Sequence, residues 1–216
     1  MTRPLTRRAM LASPLLVLPS PALAAPPALA LTPQDRADIA RIESYLNGLR
    51  TMKARFLQVA PDGATAGGLV WLQRPGRMRF QYDPPSPLLL VAGNGLFVFR
   101  DKQLNQTSNL PIDSTPLGLL LRDRATLTGD VTITAIDRQP GQIQVTVYRT
   151  ASPGDGTLTL VFADNPLMLK QWRVVDAQGQ ETQVTLFNVE LGGSLDPKLF
   201  VYINPKFTPD ADQNFK

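Results

Sequence analysis

The chain has 216 residues, with 22 basic and 18 acidic side chains, a formal net charge of +4, and neither cysteine nor histidine. This length suits one domain of ordinary size or two small ones. Without cysteine or histidine the sequence offers no Ser-His-Asp or Cys-His catalytic group, no disulfide, no thiol for a lipid anchor and no imidazole or thiolate metal ligand. We expect neither a cofactor nor a metal site, and carboxylate chemistry stays open.

Residues 1–24 have the segment order that is typical of a secretory signal peptide. Three arginines precede an apolar stretch over 9–18, and Ala22-Leu23-Ala24 supplies small residues for cleavage after Ala24. A membrane anchor is an alternative, although the stretch is short for a span, and Arg7-Arg8 also resembles a twin-arginine export signal. The segment holds three arginines and no acid, so a chain without it has a net charge of +1. We predict an exported, soluble protein, with little support for a nucleic-acid partner.

A flexible segment and a helix follow the leader. Residues 25–31 are rich in Ala and Pro and predict a flexible N-terminal segment, so that 32–216 form a single domain. Thr32 can cap a helix that has Pro33 at its first position. Apolar side chains then recur at spacings of three and four, at Ile39, Ile42, Leu46 and Leu49. This spacing predicts a helix over about 33–48.

From Lys53 onward the apolar period changes to two, and turns rich in Pro, Gly, Asn and Asp separate short runs of β-branched and aromatic residues. This pattern predicts about eleven sequential antiparallel strands in a mainly β fold. They lie near 53–59, 67–73, 77–82, 87–91, 95–100, 103–108, 130–137, 142–149, 157–163, 167–175 and 181–190. Ser114-Thr115-Pro116, followed by four leucines up to Leu121, predicts a short apolar helix between the two blocks of strands.

Eleven sequential strands suggest one large sheet that is closed or nearly closed. Polar and apolar side chains alternate over 77–82, which suits an outer-membrane barrel and equally a soluble sheet with a polar outer face and an apolar inner face. In the soluble alternative, which we prefer, the apolar helix stripe and the leucines of 117–121 pack on the inner face or in the mouth of the sheet.

Neither catalysis nor nucleic-acid binding has a specific signal in this sequence. Most acidic residues lie in turns, where they usually cap their own backbone, and Asp83, which ends a strand before Pro84-Pro85, has no partner that would complete a glycosidase carboxylate pair. Arg74, Arg77 and Arg79 lie near aromatic residues, as in faces that bind single-stranded nucleic acid. A solvated strand face is the simpler explanation, and we predict neither an enzyme nor a nucleic-acid-binding protein.

Large apolar side chains form the remaining group of residues that could make a binding site. They occupy alternate positions on neighbouring predicted strands, and we expect them to lie on one side of the sheet. An ordinary core explains them, and so does a container for a hydrophobic ligand. The residues are Leu69, Trp71, Met78, Phe80, Tyr82, Leu88, Leu90, Phe97 and Phe99.

The segment from Gly68 to Pro85 resembles the LolA-type periplasmic carriers of outer-membrane lipoproteins. It contains the G-x-x-W-x-x-R-P pattern of that family, with Trp71, Arg74 and Pro75. A strand with aromatic residues follows, and an acidic residue and a proline, here Asp83 and Pro84, come directly after that strand. The resemblance continues through the segments 88–95 and 97–101, Thr115-Pro116-Leu117, 195–200 and 207–212. It departs at the double proline Pro84-Pro85 and in the Gly/Pro-rich loop at 150–157.

The resemblance implies a single, strongly curved and unclosed antiparallel β-barrel of about 11 strands, with short helices plugging its mouth. It implies a monomeric periplasmic carrier that takes acylated lipoproteins from an inner-membrane ABC transporter of the LolCDE type and delivers them to an outer-membrane acceptor. An acceptor of the same fold and a periplasmic glycolipid-binding or scaffold protein are the alternatives. The residues expected to line one acyl-chain cavity are Leu69, Trp71, Met78, Phe80, Tyr82, Leu90, Leu117, Leu120 and Leu121.

Arg74 is the residue that, by its motif position, locks the lid of such a carrier. It ends a predicted strand just before the Pro75-Gly76 turn, so its guanidinium can reach over the rim of the sheet. Helix ends leave carbonyl groups without partners, and a guanidinium suits several of them at once. We expect bonds to carbonyls near 115–123 or at the end of the first helix, and a solvated arginine or one paired with a turn acid is the alternative.

Overall fold

The structure, a computed structural model, describes residues 27–203. The predicted signal peptide and the 207–212 match lie outside these residues. One α-helix, α1 (Pro33–Gly48), precedes eleven strands. These are β1 (Thr51–Val59), β2 (Thr65–Gln73), β3 (Arg77–Tyr82), β4 (Leu88–Gly93), β5 (Leu96–Asp101), β6 (Gln106–Pro111), β7 (Val131–Gln139), β8 (Gln142–Arg149), β9 (Gly156–Ala163), β10 (Met168–Asp176) and β11 (Glu181–Leu191).

The first helix begins and ends where the sequence predicts. Thr32 and Asp35 form a capping box, in which the Asp35 N–H donates to Thr32 Oγ1 over 3.2 Å and the Thr32 N–H donates to Asp35 Oδ2 over 2.8 Å. Proline at the first position loses no intrahelical bond. Ile39, Ile42 and Leu46 form the buried face of α1.

All eleven strands form one antiparallel sheet in the order β6-β5-β4-β3-β2-β1-β11-β10-β9-β8-β7. The edge strands β6 and β7 do not pair with each other, so the sheet is not closed. The mainly β, unclosed fold is therefore confirmed. The strand predicted near 103–108 runs from 106 to 111 because residues 102–105 form the preceding turn, in which Asn105 has a positive φ of 54°.

Between β6 and β7 lies the lid segment, Ile112–Leu121, which comprises two short 3-10 helices, Ile112–Ser114 and Pro116–Leu121. The short apolar helix predicted after Ser114-Thr115-Pro116 is the second of these, a 3-10 helix. Thr115 is its extended N-cap residue, and the Thr115 hydroxyl accepts from the Gly118 N–H over 3.2 Å. A Cβ on Gly118 would lie 2.2 Å from the Ile112 carbonyl oxygen, so the two helices approach closely only with glycine here.

The register of β2 against β3 decides which side chains share a face. It pairs Val70 with Phe80 and Leu72 with Met78, and all four are buried on the inner face, which carries α1 and the lid segment. Leu69 pairs with Gln81, and Trp71 pairs with Arg79, on the opposite, outer face. The prediction that Leu69 and Trp71 share a space with Met78 and Phe80 is therefore wrong. The reason is that the turn between β2 and β3 has three residues, so odd-numbered residues of β2 pair with odd-numbered residues of β3. The odd-numbered Leu69 and Trp71 therefore lie on the face opposite to the even-numbered Met78 and Phe80.

Two terminal segments attach to the sheet. Of the predicted flexible segment, residues 27–31 are described, and there the Leu29 N–H donates to the Ile133 carbonyl oxygen of β7 over 2.8 Å. At the other end a short 3-10 helix, Pro197–Phe200, packs on β3 and β4. Among residues 27–203 no helix is long and apolar enough to cross a membrane.

Candidate functional site

A cavity of about 540 Å³ lies on the inner face, at the end of the sheet where β1, β3 and β10 finish and β4 and β11 begin. The first half of the sheet, β1 to β6, and the second half, β7 to β11, form the two walls of the cavity. The lid segment covers it. The lining residues of the first half are Gln58, Phe80, Tyr82, Leu88, Leu90, Phe97, Phe99 and Leu110. Those of the lid are Ser114, Thr115, Pro116 and Leu117, and those of the second half are Asp155, Trp172, Val174, Asp176, Ala177, Gln178, Thr182 and Val184.

Aromatic rings hold the two walls together at the inner end of the cavity. Phe80 meets Trp172 edge to face, with ring centroids 6.1 Å apart, and it meets Phe56 in the same way at 5.0 Å. The Tyr82 hydroxyl donates to Gln58 Oε1 over 2.7 Å, and burial raises the pKa of Tyr82 to about 12. The Tyr82 phenol is therefore neutral at physiological pH.

The charged groups of the cavity lining are the carboxylates of Asp155 and Asp176, and both residues are partly exposed. Asp176 caps its own turn by accepting from the N–H groups of Gln178 and Gln180, each over 2.9 Å. Asp155 pairs with Arg149. No lysine or arginine belongs to the lining formed by the described part of the chain. A mainly apolar lining with partly exposed carboxylates suits the hydrocarbon chain of an amphiphile whose polar part stays in water.

The structure brings four of the nine predicted cavity residues into this lining: Phe80, Tyr82, Leu90 and Leu117. Met78, Leu120 and Leu121 are buried in the adjoining core and do not line the cavity, while Leu69 and Trp71 lie on the outer face.

The second wall of the cavity was missed by the sequence reasoning. Trp172 and Val174 on β10 and Val184 on β11 form it. Their alternation with polar residues was visible in the sequence. Nothing local, however, indicates that a strand about ninety residues further along the chain faces Phe80.

Arg74 lies at the other end of the inner face and is only 5% exposed. Its Nε and Nη2 donate to the Arg122 carbonyl oxygen over 2.8 and 2.5 Å, and Nη2 also reaches the Asp123 carbonyl oxygen at 3.3 Å. Its Nη1 donates to the Leu46 carbonyl oxygen near the end of α1. Burial, and secondarily the charge of Arg50, lowers the pKa of Arg74. The acceptors lie in the two regions that the sequence analysis named.

Two further side chains attach α1 to the residues that follow the lid segment. The Asn47 side chain donates to the Ala125 carbonyl oxygen over 3.0 Å and accepts from the Ala125 N–H over 2.9 Å. Glu43 accepts from the Leu127 N–H over 2.6 Å. Arg74 therefore contacts two segments, α1 and residues 122–127, that these side chains also join to each other. No sequence signal identified Glu43 or Asn47.

The remaining acidic residues form no metal-binding group in the described part of the chain. Residues 27–203 contain no group of three or more acidic side chains arranged to hold a metal ion. Asp83, the acid that the sequence analysis singled out, pairs with Arg55, with Nη2 and Oδ2 2.5 Å apart. The partner of Asp83 in the structure is therefore a basic side chain and not a second carboxylate.

The chain is similar to known proteins over most of its length. A solved LolA superfamily protein from Nitrosomonas europaea has a TM-score of 0.40 at 10% identity, covering 76% of this chain and 97% of that one. The outer-membrane lipoprotein carrier protein of Methylococcus capsulatus is 30% identical over 183 residues, covering 81% of this chain and 85% of the relative. That of Azotobacter vinelandii is 28% identical over 194 residues, covering 84% and 92%. The family of the outer membrane lipoprotein carrier protein LolA matches residues 47–203, and the chain belongs to this family.

Proposed function

We propose that this protein is a periplasmic carrier that holds the acyl chains of lipoproteins in its cavity. It receives them from an inner-membrane ABC transporter of the LolCDE type and delivers them, as a monomer, to an acceptor at the outer membrane. The observation that carries the proposal is the apolar cavity of about 540 Å³ beneath the lid segment. The relatives named above, which are called carriers, support it.

The lid segment supplies side chains that compete with the acyl chain for the cavity, so that binding is reversible. Burial stabilises a hydrocarbon chain by about 0.8 kcal/mol per CH₂ group, so one acyl chain gains on the order of 10 kcal/mol. A carrier that must release its cargo needs a competitor for the same space. Pro116 and Leu117 already line the cavity, and they can refill it when the chain departs. The carrier itself then needs no nucleotide, because the transporter supplies the energy for loading.

Export is part of the same proposal. Residues 1–24 act as a signal peptide that is removed after Ala24, so we expect the mature protein to begin at Ala25. The intact mass of protein from the periplasmic fraction measures this directly. A full-length product retained in the membrane would contradict it.

The alternative function, an acceptor of the same fold, requires a membrane anchor through a lipid attached to cysteine. It rests on the fold alone, and the sequence contains no cysteine that could carry a lipid anchor. The relatives that match across most of the chain bear the name of the carrier. The carrier is therefore the function that we put to the test.

Release of a labelled lipoprotein from inner-membrane vesicles that contain the transporter and ATP tests the carrier role. Leu117→Glu places a carboxylate in the cavity, where its desolvation opposes acyl binding, so we expect at least a tenfold loss of soluble carrier–lipoprotein complex. Leu104→Glu is the matched control, because Leu104 is 64% exposed in the turn between β5 and β6. The proposal fails if the wild-type protein releases no lipoprotein, or if Leu117→Glu releases it at the wild-type rate.

A further inference from the structure

We propose that Arg149 is a second residue that holds the lid, at the mouth of the cavity. It would set how readily acyl chains enter, independently of Arg74. This inference deepens the proposed carrier function and rests on it. The side chain projects from the last residue of β8, and no feature of the sequence analysis pointed to it.

The contacts of Arg149 connect two elements that border the mouth. Nη1 donates to the carbonyl oxygen of Asp113, in the first 3-10 helix of the lid segment. Nη2 donates to the Asp155 carboxylate, which itself lines the cavity. Ser114, the residue after Asp113, lines the cavity from the lid side. One guanidinium therefore joins the lid to the opposite rim.

These contacts also span the open side of the sheet. Asp113 follows the edge strand β6 by two residues, whereas Arg149 lies on β8, which neighbours the other edge strand, β7. Because β6 and β7 do not pair, no sheet hydrogen bond joins these two ends. The bond between Arg149 and Asp113 supplies a link at this point. Its loss should loosen the first 3-10 helix of the lid segment from the second half of the sheet, while the second 3-10 helix still packs on β9 and β10.

The rim side of this link lies directly against the sheet. Asp155 ends a 3-10 helix, Pro153–Asp155, and is followed by Gly156 at a φ of +107°. A Cβ at Gly156 would lie 1.9 Å from the Val175 carbonyl oxygen, so the backbone of this loop lies directly against β10. Since Asp155 is fixed to the sheet, opening at the mouth must move the lid segment away from Arg149.

The guanidinium of Arg149 suits this position better than another cation would. Its side chain is only 19% exposed, and Nε is buried with no hydrogen-bond partner among the described residues. The terminal nitrogens therefore make the contacts that compensate for lost water. They diverge in a planar fork and reach a carbonyl and a carboxylate together, which a single ammonium group does less well.

Arg149 and Arg74 hold different ends of the lid. Arg74 bonds the carbonyl groups of Arg122 and Asp123, just after the lid segment, and reaches α1. Arg149 bonds Asp113, at the start of the lid and beside the cavity. Loss of Arg149 should therefore loosen residues 112–118 and leave residues 122–127 as they are. Loss of Arg74 should have the reverse pattern.

Hydrogen exchange of the backbone amides tests this division. In Arg149→Gln we expect exchange over 112–118 to become about tenfold faster, since a bond to a charged group is lost, with exchange over 122–127 unchanged. Asp155→Asn should show a smaller effect in the same residues, and Arg149→Lys should recover part of the protection. Arg122→Gln is the matched control, because it breaks an ion pair of 3.3 Å with Asp130 beside the lid without touching Arg149.

The rate at which a fluorescent sixteen-carbon fatty acid binds adds a functional readout. We expect association to become about five- to tenfold faster in Arg149→Gln, in proportion to the opening of the lid. Unchanged exchange over 112–118 in both Arg149→Gln and Asp155→Asn would overturn the inference, as would a uniform increase over the whole chain. If wild-type protein binds no fatty acid, the carrier function fails, whereas the exchange pattern still decides the role of Arg149.

Discussion

At the scale of single residues, Arg74 replaces its hydration with contacts to three backbone carbonyl groups, those of Leu46, Arg122 and Asp123. A buried guanidinium without such partners would destabilise the fold, since an unpaired buried charge is costly. Arginine is suited to the site because its donors point in several fixed directions. The same contacts join the end of α1 to the residues that follow the lid segment.

Arg74→Leu should leave the protein able to take up lipoprotein but should slow delivery to acceptor membranes about tenfold, because the contacts of Arg74 then no longer favour closure behind the departing chain. Arg74→Lys should lose much of the activity, since one ammonium group does not span three carbonyls. Transfer of a labelled lipoprotein from carrier to acceptor membranes is the measurement. Arg77→Leu, an exposed change in the same hairpin, is the control, and a wild-type delivery rate in Arg74→Leu would refute a locking role.

The two adjacent glycines of β2 differ in the space around them. A Cβ on Gly68 would lie 2.2 Å from the Gln81 carbonyl oxygen and 2.7 Å from the Phe56 ring, whereas on Gly67 the nearest atom is 3.4 Å away. We expect Gly68→Ala to lower the free energy of unfolding by about 1–3 kcal/mol and Gly67→Ala to change it by about 0.5 kcal/mol or less. Urea denaturation measures both, and equal effects would contradict the close approach.

At the scale of elements, α1 is attached at both ends by polar contacts. Near its C-terminus Asn47 and Glu43 bind residues 125 and 127. Near its N-terminus Arg138 of β7 reaches Asp35 and Asp38, with nitrogen–oxygen distances of 2.6 and 2.8 Å. Because the apolar face of α1 only requires burial, these directional contacts are what determine its position along the sheet.

The attachment at Asp35 predicts a dependence of stability on pH. Hydrogen bonds from Thr32, and then from Arg138, lower the pKa of Asp35 from 3.8 to about 2. A lowered carboxyl pKa stabilises the fold above the unfolded-state pKa, and this contribution is lost as the pH falls through the folded-state value. The difference in unfolding free energy between wild type and Asp35→Asn should therefore be constant at neutral pH and shrink between about pH 4 and pH 2. Urea titrations across this range measure it, and a constant difference down to pH 2 would contradict the assignment.

At the scale of the whole molecule, one open sheet serves two purposes at its two ends. At the end where Arg74 lies, α1 and the leucines of the lid fill the inner face and form the core. At the other end the same face is left unfilled beneath Ser114–Leu117, and the cavity results. Because both halves of the sheet contribute walls, a bound chain contacts strands from both parts of the sequence.

Ligand binding should therefore stabilise the molecule as a whole. A fatty acid at 100 times its dissociation constant adds about 2.7 kcal/mol to the free energy of unfolding, which corresponds to a Tm increase of about 5–10 °C for a chain of this size. The increase should vanish in Leu117→Glu and persist in Leu104→Glu. Scanning calorimetry measures it, and an unchanged wild-type Tm at saturating fatty acid would exclude binding to the folded state.

Local patterns in the sequence were sufficient for the helix and the strands. The cap at Thr32, the stripe from Ile39 to Leu46 and the turn residues predict the helix and the eleven strands, because capping, helical periodicity and turn conformation depend on neighbours within a few residues. The regions that Arg74 bonds were named from the family resemblance together with its position before the Pro75-Gly76 turn, since that position alone left a solvated arginine equally open. These features need no knowledge of distant pairing.

Tertiary structure decided which of these residues meet. The register of β2 and β3 places Trp71 on the outer face, the pairing of β1 with β11 brings the Trp172 and Val184 wall to Phe80, and the bond from Arg149 to Asp113 crosses the open side of the sheet. A strand alternates its side chains whatever its neighbour, so its sequence specifies two faces but not which of them is inner. That choice depends on the burial of both halves of the sheet around α1, which joins residues more than a hundred positions apart.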